Sequence, residues 1–187
     1  MELLEAIRSR RSVRKYKSDP IPEQTLKELL ELASWAPSGM NTQPWLYIVV
    51  DGKDYLKALS DHCKSYILEI MDALPAIQSY QTTLSNPDFD IFYDAPVLVL
   101  IFGNQNAYTY PNDCSMAALN LMLTAWERGI GSCWIGFARA YCGTPEFKKE
   151  LNVPPEYQLV APVILGYPAE APDRGRRKEI KVFYHHK

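Results

Sequence analysis

The chain lacks any hydrophobic run long enough to cross a bilayer. Its longest uninterrupted apolar stretch, Ala95 to Phe102, is eight residues, against the roughly 20 that a spanning helix needs. Histidine is scarce, with three in 187 residues, and two of them, His185 and His186, adjoin at the C-terminal end. A Ser-His-Asp or Cys-His nucleophile would therefore depend on His62, which falls in an amphipathic helical stretch and reads as a surface residue. The four cysteines, Cys63, Cys114, Cys133 and Cys142, form no C-x-x-C pair and no metal-ligand spacing with histidine. They read as reduced thiols, not as a disulfide framework or a zinc site. An excess of charge is missing too: 20 basic and 22 acidic side chains leave a net charge of −2, which argues against a dedicated nucleic-acid binder. No G-x-x-x-x-G-K-[ST] and no G-x-G-x-x-G follows a strand pattern, so the common nucleotide loops are excluded. The first five residues, Met-Glu-Leu-Leu-Glu, carry acids where an export signal carries basic residues, and the cytoplasm is the expected location.

What is present reads as one globular domain, 1–187. Leu3, Leu4 and Ile7 share a face of a short opening helix that an Arg-rich stretch, Arg8 to Lys17, interrupts. Pro22 suits the first turn of a helix with the apolar stripe Leu26, Leu29, Leu30 and Ala33. Strands are expected over Trp45 to Val50, Val97 to Phe102, Ser132 to Ile135 and Leu159 to Leu165. Between Lys53 and Asn86 the pattern is mainly helical, with a break at Pro75. Asp113 to Arg128 reads as a helix closed by Gly129 and apolar nearly all round, which implies burial on more than one side, a second subunit included. Thr144 caps a further short helix. Alternating helices and strands around one sheet place the chain in the α/β or α+β class.

Two basic clusters stand apart: Arg8, Arg10, Arg11, Arg14, Lys15 and Lys17 near the start, and Arg174, Arg176, Arg177 and Lys178 near the end. Solvated faces, a nucleic-acid surface and a site for one phosphate group are all open on spacing alone. Guanidinium groups match phosphate oxygens in bidentate fashion, and Ser12 adds a hydroxyl donor. The chain thus has phosphate-binding potential at both ends and no acid, base or nucleophile arranged for catalysis. That is the profile of a protein whose cofactor brings the reactivity.

Four blocks then become specific. Arg10-Arg11-Ser12-Val13-Arg14 follows the opening helix, and Ala36-Pro37-Ser38-Gly39-Met40-Asn41-Thr42-Gln43-Pro44-Trp45 runs into a strand. Gly129-Ile130-Gly131-Ser132-Cys133-Trp134-Ile135-Gly136 follows the long helix, and Gly166-Tyr167-Pro168 precedes Arg174-Gly175-Arg176-Arg177-Lys178. In order and spacing they resemble the nitroreductase-like FMN flavoproteins. The resemblance implies an α+β fold of three layers, a mixed, mainly antiparallel sheet flanked by helices. It also implies an intimate homodimer with FMN at the subunit interface.

By the same resemblance, Arg10, Arg11 and Ser12 hold the FMN phosphate and ribityl chain, joined by Arg174 and Arg176 from a segment, about 168–187, that completes the site; Arg177 is the alternative to Arg176. Arg14 lies at the pyrimidine edge, Ile135 and Gly136 lie along the ring, and Pro37, Ser38, Gly39 and Asn41 reach it from the other subunit. The flavin carries the chemistry, so no side chain is expected to be catalytic and no metal is expected. The implied activity is FMN-dependent NAD(P)H oxidoreduction, by ping-pong hydride transfer through N5 to quinone- or nitroaromatic-type acceptors. The alternatives are a flavin-binding or regulatory protein with little turnover, and specialised reactions such as reductive dehalogenation or flavin breakdown. The middle segment matches none of the blocks. Its aromatics, Tyr66, Tyr80, Phe89, Phe92, Tyr93, Tyr108 and Tyr110, are expected to divide between core and a substrate wall that selects by stacking.

Overall fold

A computed structural model describes residues 2–172, 175 and 177–184. Seven α-helices occur in chain order: α1 (Leu3–Ser9), α2 (Glu23–Ser34), α3 (Lys53–Glu69), α4 (Gln81–Leu84), α5 (Tyr110–Glu127), α6 (Arg139–Cys142) and α7 (Pro145–Glu150). Four strands, β1 (Trp45–Asp51), β2 (Val97–Asn104), β3 (Gly131–Trp134) and β4 (Tyr157–Gly166), form one sheet in the order β1-β2-β4-β3. All three strand pairings are antiparallel. The parallel contribution is an isolated bridge, Ser12↔Ser132, on the outer edge of β3.

Period-two alternation along β2 divides the core. Leu98, Leu100 and Phe102 face a layer with Leu59, Cys63 and Ile67 of α3, Cys142 of α6 and Phe147 of α7. Val97, Val99 and Ile101 face the opposite layer, with Leu26 and Leu29 of α2 and Ala118, Leu121 and Ala125 of α5. Helix, sheet, helix is the three-layer arrangement expected of a strand buried on both faces. A register shift between Ile101 and Phe102 against β4 lets Val160 and Ala161 share one layer while Leu159 turns to the other.

The elements differ from the sequence reading mainly at their ends. Pro22 is the N-cap of α2, just outside its first turn. Helix α5 begins at Tyr110, with Pro111 in the first turn, so Asp113 lies inside the helix and is buried. Its end is a Schellman motif: Gly129 N–H donates to Trp126 O, Ile130 N–H donates to Ala125 O, and Gly129 takes φ 74°. Thr144 caps α7 through Oγ1, which accepts from Phe147 N at 3.3 Å. The break at Pro75 is real: 3₁₀ segments span Met71–Ala73 and Pro75–Tyr80. All four cysteines are free and buried, and no described helix is long and apolar enough to cross a membrane.

One buried cation ties the segment after α4 to α3. Lys64 is 5 % exposed; its ammonium donates to the carbonyls of Phe89 (2.7 Å), Asn86 (3.2 Å) and Pro87 (3.4 Å) and pairs with Asp61 at 3.0 Å. Replacing it by Met leaves the Phe89 carbonyl without its donor and removes the charge-assisted bonds to Asn86, Pro87 and Asp61, a loss of about 2 kcal/mol. Thermal denaturation of Lys64→Met is expected to show a Tm lowered by roughly 4–8 °C. Lys57→Met removes an exposed pair with Asp61 and should shift Tm far less.

Candidate functional site

The Arg-rich stretch is extended backbone laid along the free edge of β3. Val13 N–H donates to Ser132 O at 3.0 Å, Lys17 N–H to Tyr167 O at 2.8 Å, and Ala169 N–H returns to Lys15 O at 3.0 Å. Val13 is buried, while Ser12 and Arg14 on either side are exposed, as alternation along an extended segment requires. The close approach explains Gly131: a Cβ there would lie 2.7 Å from Val13 Cγ2. The half-fingerprint Gly129-Ile130-Gly131 is therefore a helix stop followed by a tight strand contact.

At the end of β3 the chain opens a cavity of about 660 Å³, within the size range of small-ligand sites. Arg14, Ile135 and Gly136 line it, opposite Leu74 and Ile77 from the 3₁₀ segments and Tyr93. A Cβ built on Gly136 would meet nothing within 4 Å, so the fold itself does not demand glycine there. Tyr93 and Asp94 both hold left-handed backbone, φ 56° and 55°, which is costly for such side chains. The Asp90 carboxylate secures that turn, accepting from Phe92 N (3.0 Å) and Asp94 N (2.8 Å). The result sets the Tyr93 ring 5.9 Å from the Arg14 guanidinium, within cation–π range.

Arg14 also borders a second cleft of about 380 Å³, shared with Arg11, Ser12, Lys15 and Glu170. Burial, then the charges of Arg177 and Arg11, press the Arg10 guanidinium below its ordinary pKa. Arg10, Arg11 and Arg177 are thus gathered at one place. A Cβ on Gly175 would lie 2.9 Å from Arg11 Nε and 3.1 Å from Arg177 Nη1. Arg11 Nη1 donates to the carbonyls of Arg8 (2.7 Å) and Arg10 (2.8 Å), closing α1, while its buried Nε has no partner among the described residues. Among the described residues no carboxylate pairs with Arg10, Arg11 or Arg14, and Glu170 is engaged by Lys15 at 3.0 Å. Burial raises the pKa of the Cys133 thiol, against the opposing influence of Arg14, Ser12 and Arg10. Arg174 and Arg176 lie outside the described residues.

The loop Pro37–Asn41 stands elsewhere. Gly39 N–H donates to both Asp113 carboxylate oxygens at 3.3 Å, and Thr109 Oγ1 donates to Oδ2 at 2.9 Å. A Cβ on Gly39 would fall on Thr109 Oγ1. Ser38 Oγ accepts from Gln43 N and Asn41 Oδ1 accepts from Gln43 Nε2, both at 3.1 Å. Met40, Asn41 and Gln43 all take positive φ, between 45° and 55°. The loop is thus held against α5, in the layer opposite α3, and none of Pro37, Ser38, Gly39 and Asn41 lines the cavity of Arg14 and Gly136.

Sequence reading did not single out Asp113, Tyr93 as Arg14's partner, or Arg139 on the cavity wall. An acid in the first turn, ahead of the mainly apolar run Met116 to Leu123, was the available signal for Asp113. Of the seven middle aromatics, Tyr93 lines the cavity, and Tyr80 braces the cavity residue Phe137 edge-on at 5.4 Å. Phe92 is core and Tyr108 is exposed.

The sequence pattern of the nitroreductase family matches residues 7–167. A nitroreductase of Bacteroides fragilis NCTC 9343, solved with bound FMN, is 31 % identical with a TM-score of 0.81, covering 97 % of this chain and 95 % of that one. The Bacillus subtilis (strain 168) protein YfhC, named as an NAD(P)H nitroreductase, is 32 % identical, covering 96 % of this chain and 91 % of its own. The iodotyrosine deiodinase of Thermotoga neapolitana is 27 % identical, with 97 % of each chain covered. The match over residues 7–167, carried on a sheet whose free edge is bound by the Arg-rich stretch, places this chain in the nitroreductase family.

Proposed function

We propose that the chain is an FMN-dependent NAD(P)H oxidoreductase that acts as a homodimer on flat quinone- or nitroaromatic-type acceptors. The observation that carries this reading is the joining, at Arg14, of an apolar cavity to a cleft of arginines unpaired with any described carboxylate. Such a cluster is electrostatically unfavourable by itself and is relieved by an anion. FMN bound there supplies hydride chemistry at N5, from NADH or NADPH to the acceptor in alternating half-reactions. Arg10, Arg11 through its unpartnered Nε, and Ser12 hold the phosphate, with Arg177 in the place open to it or Arg176; Arg174 and Arg176 are assigned by the family resemblance. Arg14, steadied by Tyr93, offers positive charge to the pyrimidine edge, and Ile135 and Gly136 flank the ring. The open space at Gly136 supports that role, since only a ligand would make a side chain there intolerable.

Two observations support the dimer. Pro37, Ser38, Gly39 and Asn41 lie on the α5 side and the cavity on the α3 side, so one chain's loop reaches a shared flavin only from a second copy. Among the described residues Leu3, Leu4 and Ile7 of α1 and Leu119 of α5 are exposed apolar side chains, surface for a second copy to cover. Reductive dehalogenation is the second reading, favoured by the likeness to the deiodinase.

Anaerobic addition of NADH or NADPH to the yellow protein is expected to bleach the flavin within seconds. A flavin that stays oxidised with both would leave a binding protein without turnover. A panel of quinones, nitroaromatics and halophenols then separates the two readings.

Arg10→Ala should weaken FMN binding by about 10–100-fold, the worth of one charge-assisted contact, while riboflavin, lacking the phosphate, binds both proteins alike. Equal losses for the two ligands in fluorescence titrations would remove Arg10 from the phosphate.

Light scattering should give twice the 21.4 kDa chain mass, with an interface above roughly 1,600 Å². A monomer that retains FMN would overturn the shared site.

A further inference from the structure

The cavity has a second cation. Arg139 lines it, is exposed, and makes no ion pair among the described residues. Among the described residues no Asp or Glu lines the cavity, whose remaining described wall is predominantly apolar. Its position is dictated by the backbone. The segment Gly136–Ala138 is 3₁₀ and runs directly into α6 at Arg139. With three residues per turn and about 2 Å rise per residue, position i+3 eclipses position i, so Arg139 stands roughly 6 Å along the axis from Gly136 on the same face. Tertiary packing does not require this guanidinium: the core contacts of the segment are made by Ala138 and Cys142.

We propose that Arg139 is a specificity-determining residue that reads a carboxylate on the aromatic acceptor. The inference rests on the flavin oxidoreductase reading of the same cavity and names its substrate class: one-ring acceptors bearing an anionic substituent. A planar guanidinium engages a carboxylate through two parallel N–H donors. Stacking on the apolar wall discriminates weakly, by shape, so a single cation at the rim dominates the choice between a charged acceptor and its neutral isostere. The same guanidinium would also suit a phosphate of the nicotinamide dinucleotide. A one-ring acceptor is favoured because its charge sits within a ring's width of its reducible group, matching one helical turn between Gly136 and Arg139. Dinucleotide phosphates are set back behind a ribose.

The test is calorimetric titration of the oxidised holoprotein with 4-nitrobenzoate and, as neutral isostere, 4-nitrobenzamide. The parent protein should bind the carboxylate about tenfold more tightly, and 0.5 M NaCl should erode that ratio because the pair is near solvent. In Arg139→Gln the ratio should collapse toward one, and in Arg139→Lys it should be partly restored. A ratio near one in the parent, or a ratio unchanged in Arg139→Gln, overturns the proposal. So does an Arg139→Gln variant that keeps the ratio but weakens NADH or NADPH binding in the reductive half-reaction, which would transfer the residue to the dinucleotide. Failure of the oxidoreductase reading looks different: a flavin that neither NADH nor NADPH bleaches, in parent and variant alike.

Discussion

The pairing of residues 12–17 with the edge of β3 and with residues 167–169 is the contact from which the site follows. An edge strand with unpaired N–H and C=O groups is a liability, and β3 has only four residues to present. Covering it with extended chain gives the Ser132 carbonyl a donor in Val13 N–H and buries Val13 against Gly131. The same pairing forces Ser12 and Arg14 outward. Because the bridge to Ser132 is parallel, Arg14, which follows the inserted Val13, runs toward the end of the strand and lines the cavity with Ile135 and Gly136. Stability and binding geometry are therefore set by one register: a shift of one residue would bury Ser12 or Arg14 in place of Val13.

The arginine cluster carries an energetic consequence. Arg10 is partly desolvated and flanked by Arg11 and Arg177, while the carboxylate in the neighbouring cleft, Glu170, belongs to Lys15. A fold that gathers like charges gives up stability in its unliganded form, and an anion binding the native state restores it by mass action. In the proposed reading the phosphate is part of what holds the tail near residue 175 against Arg11.

The layer structure was legible in the sequence because it depends on short-range pattern. The run Val97 to Phe102 announces a strand covered on both faces, and the Schellman stop at Gly129 and the cap at Thr144 are local chemistry. Strand order was not legible: β2 pairs with β1 and β4 across long stretches of chain, and no local pattern encodes that. Helix α5 starts three residues before Asp113 because Tyr110 and Pro111 can open a helix without an apolar stripe. The cation on the cavity wall escaped for a related reason. Arg139 shares a face with Gly136 only if residues 136–138 are 3₁₀, and an apolar pattern of three residues does not distinguish that geometry from a loop. Arg10, Arg11 and Arg14 could be picked out as a cluster, yet Arg177 joins them only through folding.

The loop at Pro37–Asn41 bears directly on the proposed second copy. Its two non-glycine residues with positive φ, Met40 and Asn41, and Gln43 just after it are costly, each of order 1 kcal/mol or more, and Asp113 surrenders a buried carboxylate to hold Gly39 in place. Met40 and Asn41 project to solvent, and none of the loop residues Pro37, Ser38, Gly39 and Asn41 lines the cavity. Local strain maintained by a buried hydrogen-bond network makes physical sense when the strained backbone meets something outside its own chain. A second copy, whose cavity presents Gly136 with open space above it, is a surface for which this loop's shape would be useful.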